Sequence, residues 1–297
     1  MEDLQTRLNK LTETSKYRLK AGMIKEILEE FKRQMSKKET FNQAIMIDEN
    51  HHPVHVTHEK VMSIIDEFLN LDNLNVKYTP NMIIDGFGNL AVCYNGDPYV
   101  TLRLLLMAFR THNNIVFFSK KYYAINTKIV ETLNMIVNKK GYAEKIALVE
   151  FDVIDGIIAN LQTFFHKMIF VGDKRDYVQM KKKFVIPTIY AGFGNVDVFI
   201  ESKDFKNLLL DISQYARDNN IKVNYYDDTQ IEDTLTFINR FELTDCFVLL
   251  SKNTDLIYKF ISEVKAKKIY VNTNPFENYK LNIEEKDLIY EKNIVMG

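Results

Sequence analysis

Covalent catalysis near neutral pH is best served by a thiolate, and the 297-residue sequence holds two cysteines, Cys93 and Cys246. Both sit in apolar runs, Leu90-Ala91-Val92-Cys93-Tyr94 and Cys246-Phe247-Val248-Leu249-Leu250, which read as buried strand residues rather than reactive ones. Ser213 has no histidine near it in the sequence, and a serine without an adjacent base is a poor nucleophile. Four of the six histidines crowd into His51-His52-Pro53-Val54-His55-Val56-Thr57-His58. Their order matches no standard zinc spacing, and in an extended Val54–Thr57 stretch His52 cannot join His55 on one face without a bend at Pro53. The reading is a surface connection leading into a helix capped by Thr57, with no metal. The doublets Tyr122-Tyr123, Phe164-Phe165 and Tyr225-Tyr226 offer stacking surfaces, but no basic stripe accompanies them, so nucleic-acid binding is not expected. Lys181-Lys182-Lys183 reads as a solvated helix end favoured by the helix dipole.

The elements that must position any site follow from periodicity. Helical spacing of Leu4, Leu8 and Leu11, then of Ile24, Ile27, Leu28, Phe31 and Met35, predicts two N-terminal helices. Val61, Ile64, Ile65, Phe68 and Leu69 predict a third. Pro80 and Asp85-Gly86-Phe87-Gly88 punctuate a hairpin arm over 77–92. From there short apolar strands alternate with amphipathic helices: strands at 90–94, 115–118, 146–149 and 168–171, with Asp97-Pro98 opening the first helix as cap and N1 proline, and a helix over 154–161. Further strands are expected at 185–189, 196–200, 221–225, 246–250 and 268–272, with helices at 208–216, 231–237 and 256–264. A last edge strand is expected at 288–296. This is the pattern of a doubly wound, mostly parallel α/β sheet.

Composition agrees with a globular chain: 46% hydrophobic, 27% charged, net charge −1. No global field draws it to nucleic acid or an anionic membrane. Apolar runs fall short of the roughly 18 residues a membrane helix needs. The absence of a CxxC pair and of a signal-like N-terminus points to a reducing cytoplasm.

Three landmarks resemble the aldehyde dehydrogenase superfamily, and within it the gamma-glutamyl phosphate reductase branch. Asn89-Leu90-Ala91-Val92-Cys93-Tyr94-Asn95-Gly96-Asp97-Pro98-Tyr99-Val100-Thr101 is similar to that branch's first nucleotide-domain strand and helix start. Ile186-Pro187-Thr188-Ile189-Tyr190-Ala191-Gly192-Phe193-Gly194-Asn195, followed by Val196–Ile200, resembles the segment that precedes the catalytic domain. Ile238-Asn239-Arg240-Phe241, Thr244-Asp245 and Ile269-Tyr270-Val271-Asn272 resemble the return into the nucleotide domain. The resemblance implies a nucleotide crevice at strand ends, with Tyr94, Asn95, Lys120, Gly172 and Asp173 as the positions that would meet a cofactor, NAD(P). It also implies dimerisation through the arm and an added strand.

The departures from the family are as informative. A catalytic domain on the order of 100 residues, holding the reactive cysteine, lies between the second and third landmarks in the family, whereas here 204–237 joins them without a cysteine. The oxyanion asparagine falls near Gly96, with Asn95 one residue away, and the general-base glutamate falls near Tyr190. Gly172 matches the glycine that approaches the pyrophosphate, but Asp173 beside it is a good N-cap and repels phosphate. The expectation is a Rossmann-like nucleotide domain of the aldehyde dehydrogenase type over 77–297, with arm 77–92 and C-terminal strand 288–296, and an N-terminal helical region over 1–76. The expected role is a catalytically degenerate protein that binds or assembles as a homodimer, with no catalytic residue and no confident cofactor. The alternatives are a minimal NAD(P)-dependent oxidoreductase using Tyr94, Asn95 or Tyr190 without a cysteine, and a regulatory partner of a complete family member.

Overall fold

The computed structural model describes residues 21–49, 56–71, 77–79, 82–119, 121–142, 146–150, 164–192, 196–218, 221–227, 231–240, 244–276, 281 and 283–293. The predicted helices at 1–20 and 154–161 and the residues His51, His52, His55 and Lys120 lie outside them.

Helices α1 (Ala21–Met35), α2 (Lys38–Glu49) and α3 (His58–Leu69) precede the sheets. Thr57 caps α3 by accepting from Lys60 N, and Val61, Ile64, Ile65 and Phe68 bury the inward stripe. A short antiparallel sheet follows. In it β1 (Lys77–Thr79) pairs with β2 (Met82–Gly86), and β12 (Ile289–Asn293) from the far end of the chain pairs with the other side of β2. The arm therefore stops at Gly86 rather than at 92. Every residue of Asn89–Tyr94 is buried, because this segment is an inner strand of the next sheet.

That sheet has the order β5-β4-β3-β6-β7, built from β3 (Asn89–Tyr94), β4 (Asn114–Ser119), β5 (Ile146–Glu150), β6 (Lys167–Phe170) and β7 (Thr188–Tyr190). The β3–β4, β4–β5 and β3–β6 pairs are parallel. Every residue of β4 is buried, with the unbroken apolar run Ile115–Phe118 at its centre, which suits a strand covered on both faces. The crossover helices are α4 (Pro98–Arg110) and α5 (Tyr123–Lys139). Asp97 caps α4, accepting from Tyr99 N at 2.8 Å with Pro98 at the first turn, as the sequence implies. Helices α1 and α2 pack on α5, and α3 packs on α4. Arg110 ties this layer together, bonding Glu285 Oε1 at 2.6 Å and the Phe68 carbonyl at 3.3 Å.

Strands β8 (Val196–Ile200), β9 (Val223–Asp227), β10 (Thr244–Leu250) and β11 (Ala266–Val271) do not extend this sheet. They form a second, all-parallel one in the order β11-β10-β8-β9, with α7 (Lys206–Asp218), α8 (Ile231–Arg240) and α9 (Thr254–Glu263). Its two faces carry separate cores, one around Val196, Val198, Ile212 and Val248, the other around Phe199, Phe247, Leu249 and Phe260. The chain accordingly divides into two compact units, one of 1–170, 184–189 and 283–297, the other of 171–183 and 190–282. This division differs from the break at 76/77 read from the sequence, because strand pairing, which no single apolar run reveals, decides it. Helix α6 (Lys174–Lys183) belongs to the second unit.

Candidate functional site

In doubly wound sheets, ligands sit beyond the carboxyl ends of the strands, where the winding reverses. In the first sheet that point lies between β3 and β6, so the loop after β3 is the place to look. Tyr94 closes β3. Its phenol bonds Thr101 Oγ1 at 2.5 Å, Thr101 donates to Asn126 Oδ1 at 2.7 Å, and Asn126 Nδ2 donates to the Gly96 carbonyl at 2.6 Å. Since Thr101 has one proton and gives it to Asn126, Tyr94 must be the donor in its own bond. Ser119 adds a bond from its hydroxyl to the Lys121 carbonyl at 2.7 Å. Thr101 and Asn126 are wholly buried and Tyr94 nearly so. Burial pushes the Tyr94 phenol well above its ordinary range, so it remains a neutral donor, and its proton is committed to the network.

Gly96 has φ +108°, and a Cβ there would overlap the Lys121 carbonyl oxygen and lie 2.6 Å from Ser119 Oγ. The loops after β3 and β4 are thus closed onto each other. Asn95 Oδ1 accepts from Asp97 N at 3.1 Å, a local turn contact. Of the residues expected to meet a cofactor in this unit, Tyr94 is locked in the network and Asn95 shapes its loop.

Helix N-termini at this sheet end would favour anions. Those of α4 and α5 are held by the chain's own carboxylates: Asp97 on α4, and Asp48 from α2 on α5, whose Oδ1 and Oδ2 accept from Ala124 N at 3.1 Å and Ile125 N at 2.8 Å. Tyr122, before α5, is left-handed (φ 54°) and makes no side-chain cap, so α5 takes its cap from a residue 77 positions before Ile125 in sequence. Sequence reading missed Asp48, Thr101, Ser119 and Asn126. A polar Asn126 beside the inward Ile125 and Ile129 was the available signal.

In the second unit, Gly172 and Asp173 precede α6. Tyr190 donates to the Gly172 carbonyl at 2.9 Å, its ring lies 5.0 Å from that of Tyr177, and a Cβ on Gly192 would strike the Gly172 backbone. Where the resemblance would put a general base there is a tyrosine holding the glycine turn. Asp173 is buried, and its carbonyl accepts from Tyr177 N.

At the carboxyl ends of β8, β10 and β11 a second polar cluster went unread in the sequence. Glu201 Oε2 accepts from Ser251 Oγ at 3.0 Å and from Lys252 N at 3.2 Å. Asn272, left-handed at φ 54°, exchanges two bonds with the Ser251 backbone: Ser251 N to Oδ1 at 2.9 Å, and Nδ2 to Ser251 O at 2.8 Å. Asn253 caps α9. Ser251 is fully buried, so its hydroxyl latches strand ends.

The thiols complete the inventory. Cys93 is fully buried in β3 and Cys246 nearly so in β10, and burial pushes the Cys246 thiol up to about 12. Ser213 donates to the Leu209 carbonyl at 2.7 Å and bonds the Tyr225 hydroxyl. His58 opens α3, with Nε2 3.1 Å from the Met35 carbonyl and its ring edge-on to Phe41. No metal-ligating cluster occurs among the described residues, and no helix among them is long and apolar enough to cross a membrane.

Neither a protein-family model nor a curated protein sequence matches the chain. Solved structures do. A gamma-glutamyl phosphate reductase from Thermotoga maritima superposes with a TM-score of 0.66 at 12% identity, covering 99% of this chain and 98% of its own. A probable aldehyde dehydrogenase from Listeria monocytogenes gives 0.68 at 10%, covering 100% and 96%. A glyceraldehyde-3-phosphate dehydrogenase from Methanocaldococcus jannaschii, complexed with NADP, gives 0.69 at 11%, covering 99% and 94%. At such identities the likeness is one of architecture, and the chain has the fold of the aldehyde dehydrogenase superfamily.

Proposed function

We propose that this protein is a catalytically degenerate aldehyde dehydrogenase-like protein whose role is binding or assembly. The observation that carries the reading is the state of its thiols: the sequence has two, both are buried in strand interiors, and burial pushes that of Cys246 up to about 12. Neither offers a thiolate to an aldehyde or an acyl group near neutral pH. Supporting it, Asp97 and Asp48 occupy the N-termini of α4 and α5, and Tyr190 holds the turn at Gly172. The two carboxylates weigh against a cofactor phosphate at the N-termini of α4 and α5, although one neighbour of this fold was solved with NADP. Assembly as a homodimer is proposed through the three-stranded arm, where β12 presents the half-exposed Tyr290 with Glu291 and Lys292 at a sheet edge.

The test is turnover with NAD(H) and NADP(H) against a panel of aldehydes and acyl phosphates, with thermal shift at millimolar cofactor. No turnover and no shift are expected. Robust turnover that survives Cys93→Ser and Cys246→Ser would establish the cysteine-free oxidoreductase instead.

A further inference from the structure

Asparagine followed by glycine occurs once in the chain, at Asn95-Gly96, in the loop between β3 and α4. The pair carries a reaction of its own. The backbone nitrogen after an asparagine attacks the side-chain Cγ, losing its proton while the carboxamide nitrogen leaves as ammonia. Water then opens the resulting five-membered succinimide at either carbonyl, giving aspartate or isoaspartate. Glycine makes the attack easiest, since it has no Cβ to crowd the approach. In an unstructured chain the sequence therefore reacts without any enzyme.

The fold restrains ring closure at this position. Closure must turn the Asn95–Gly96 peptide and carry Gly96 with it, yet Gly96 is buried and fixed. Its carbonyl accepts from Asn126 Nδ2 at 2.6 Å, and its α-carbon faces the Lys121 carbonyl oxygen so closely that a Cβ would overlap it. Both neighbours are themselves held: Asn126 is wholly buried and accepts from Thr101 at 2.7 Å, and Ser119 donates to the Lys121 carbonyl at 2.7 Å. The reacting carboxamide is tethered too, Asn95 Oδ1 accepting from Asp97 N at 3.1 Å. Asn95 is only half-buried, so the restraint is a fixed backbone rather than exclusion of water.

We propose that Asn95 is a latent modification site: it converts to isoaspartate from molecules in which the loops after β3 and β4 have parted, and the conversion keeps them from closing again. Isoaspartate routes the main chain through Cβ and Cγ, so the path from Tyr94 to Gly96 gains one methylene. That path is pinned at both ends, by the bond between Tyr94 and Thr101 and by the bond from Tyr99 N to Asp97 Oδ1 at 2.8 Å. The added length displaces Gly96 from Asn126 and Lys121, and the new carboxylate stands beside Asp97. Transient local opening is thereby turned into a permanent mark at the carboxyl end of the first sheet. The assignment holds whether or not that sheet end takes a cofactor.

In the test the full chain is incubated at mildly alkaline pH, and the peptide containing residue 95 is followed by mass spectrometry with electron-transfer fragmentation, which separates aspartate from isoaspartate. Reaction from the open form scales with its population, so the native chain is expected to convert at least ~100-fold more slowly than chain unfolded in urea, and Asn126→Ala ~10-fold faster than the parent. Native conversion at the unfolded rate, or an Asn126→Ala rate equal to the parent's, overturns the proposal. Should Asn126→Ala fold poorly, Ser119→Ala, which removes the bond to the Lys121 carbonyl, decides by the same comparison: faster conversion supports gating and an unchanged rate refutes it. The deamidated fraction, collected by ion exchange, is expected to melt below Asn95→Asp, which has the charge without the methylene and should stay within about 2 °C of the parent. If the two melt together, the mark does not hold the loops apart and that half of the proposal falls.

Discussion

Replacing Asp48 with alanine isolates the contact that fastens the N-terminal helices to the parallel sheet layer. The side chain is 6% exposed and accepts from two successive backbone N–H groups, Ala124 at 3.1 Å and Ile125 at 2.8 Å. A lost cap alone costs about 1 kcal/mol. Here Tyr122 cannot substitute, being left-handed and without a cap bond of its own, and Ile125 is fully buried, so at least one donor is left dry at a further ~1 kcal/mol or more. The expected loss is ~2 kcal/mol. For a cooperative unit of this size, that lowers Tm by about 4–8 °C. Asp48→Asn, which keeps an acceptor oxygen but loses the charge beside the helix dipole, should lose roughly half as much. Asp66→Asn, which removes the partly exposed pair with Lys32, should change Tm by no more than about 2 °C. Differential scanning calorimetry of the three variants reads all of this. If Asp48→Ala melts within 1 °C of the parent, the contact does not fasten the helices and the reasoning fails.

Other expectations follow from the same geometry. Gly96→Ala should destabilise by more than ~2 kcal/mol in urea, since both its φ of +108° and the Lys121 carbonyl oppose a Cβ. Arg110→Ala should cost ~3 kcal/mol or more, because Glu285 would be left without its partner at a nearly buried site. The Cys246 thiol is raised on folding to about 12. Its contribution is therefore fully present below the unfolded thiol range and is lost as pH climbs from about 9 towards 12. Cys246→Ala should flatten the decline of stability measured between pH 9 and 10.5. In the same pH range iodoacetamide should leave both thiols unlabelled until denaturant is added.

What the sequence displayed and what it hid divide along the range of the interactions. Asp97-Pro98 announces the start of α4 because cap and proline act within one turn, and Val61, Ile64, Ile65 and Phe68 announce α3 because a helix repeats locally. Most strand positions are legible for the same reason, but β7 forms at Thr188–Tyr190 rather than at 185–189. The partition into two sheets was not, since an apolar run such as Val196–Ile200 or Cys246–Leu250 looks the same whichever neighbour it pairs with. The arm read from the sequence runs six residues past the end of β2 at Gly86 because Gly88, with its positive φ, punctuates the sequence after β2 has already ended. Asp48 was invisible as a cap because the N–H groups it serves lie some 76 residues on, and nothing near Met46 or Ile47 hints at them. Tyr94 looked available because its chain neighbours do not reveal that Thr101 and Asn126 close over its hydroxyl.

The reciprocal pair of bonds between Asn272 and Ser251 makes a side chain stand in for a peptide group. The backbone N–H of Asn272 still donates to the Leu249 carbonyl, but there the chain turns left-handed, and a side-chain donor and acceptor of the right spacing continue beside β10 for one residue more. The ladder is lengthened without lengthening the strand. Such a prosthesis tolerates little substitution: aspartate carries no donor, glutamine reaches one methylene too far, and serine offers its donor and acceptor from a single oxygen, not at the spacing of a peptide group. A point that appears in the fold as a loop residue is, in hydrogen-bonding terms, the last rung of the sheet.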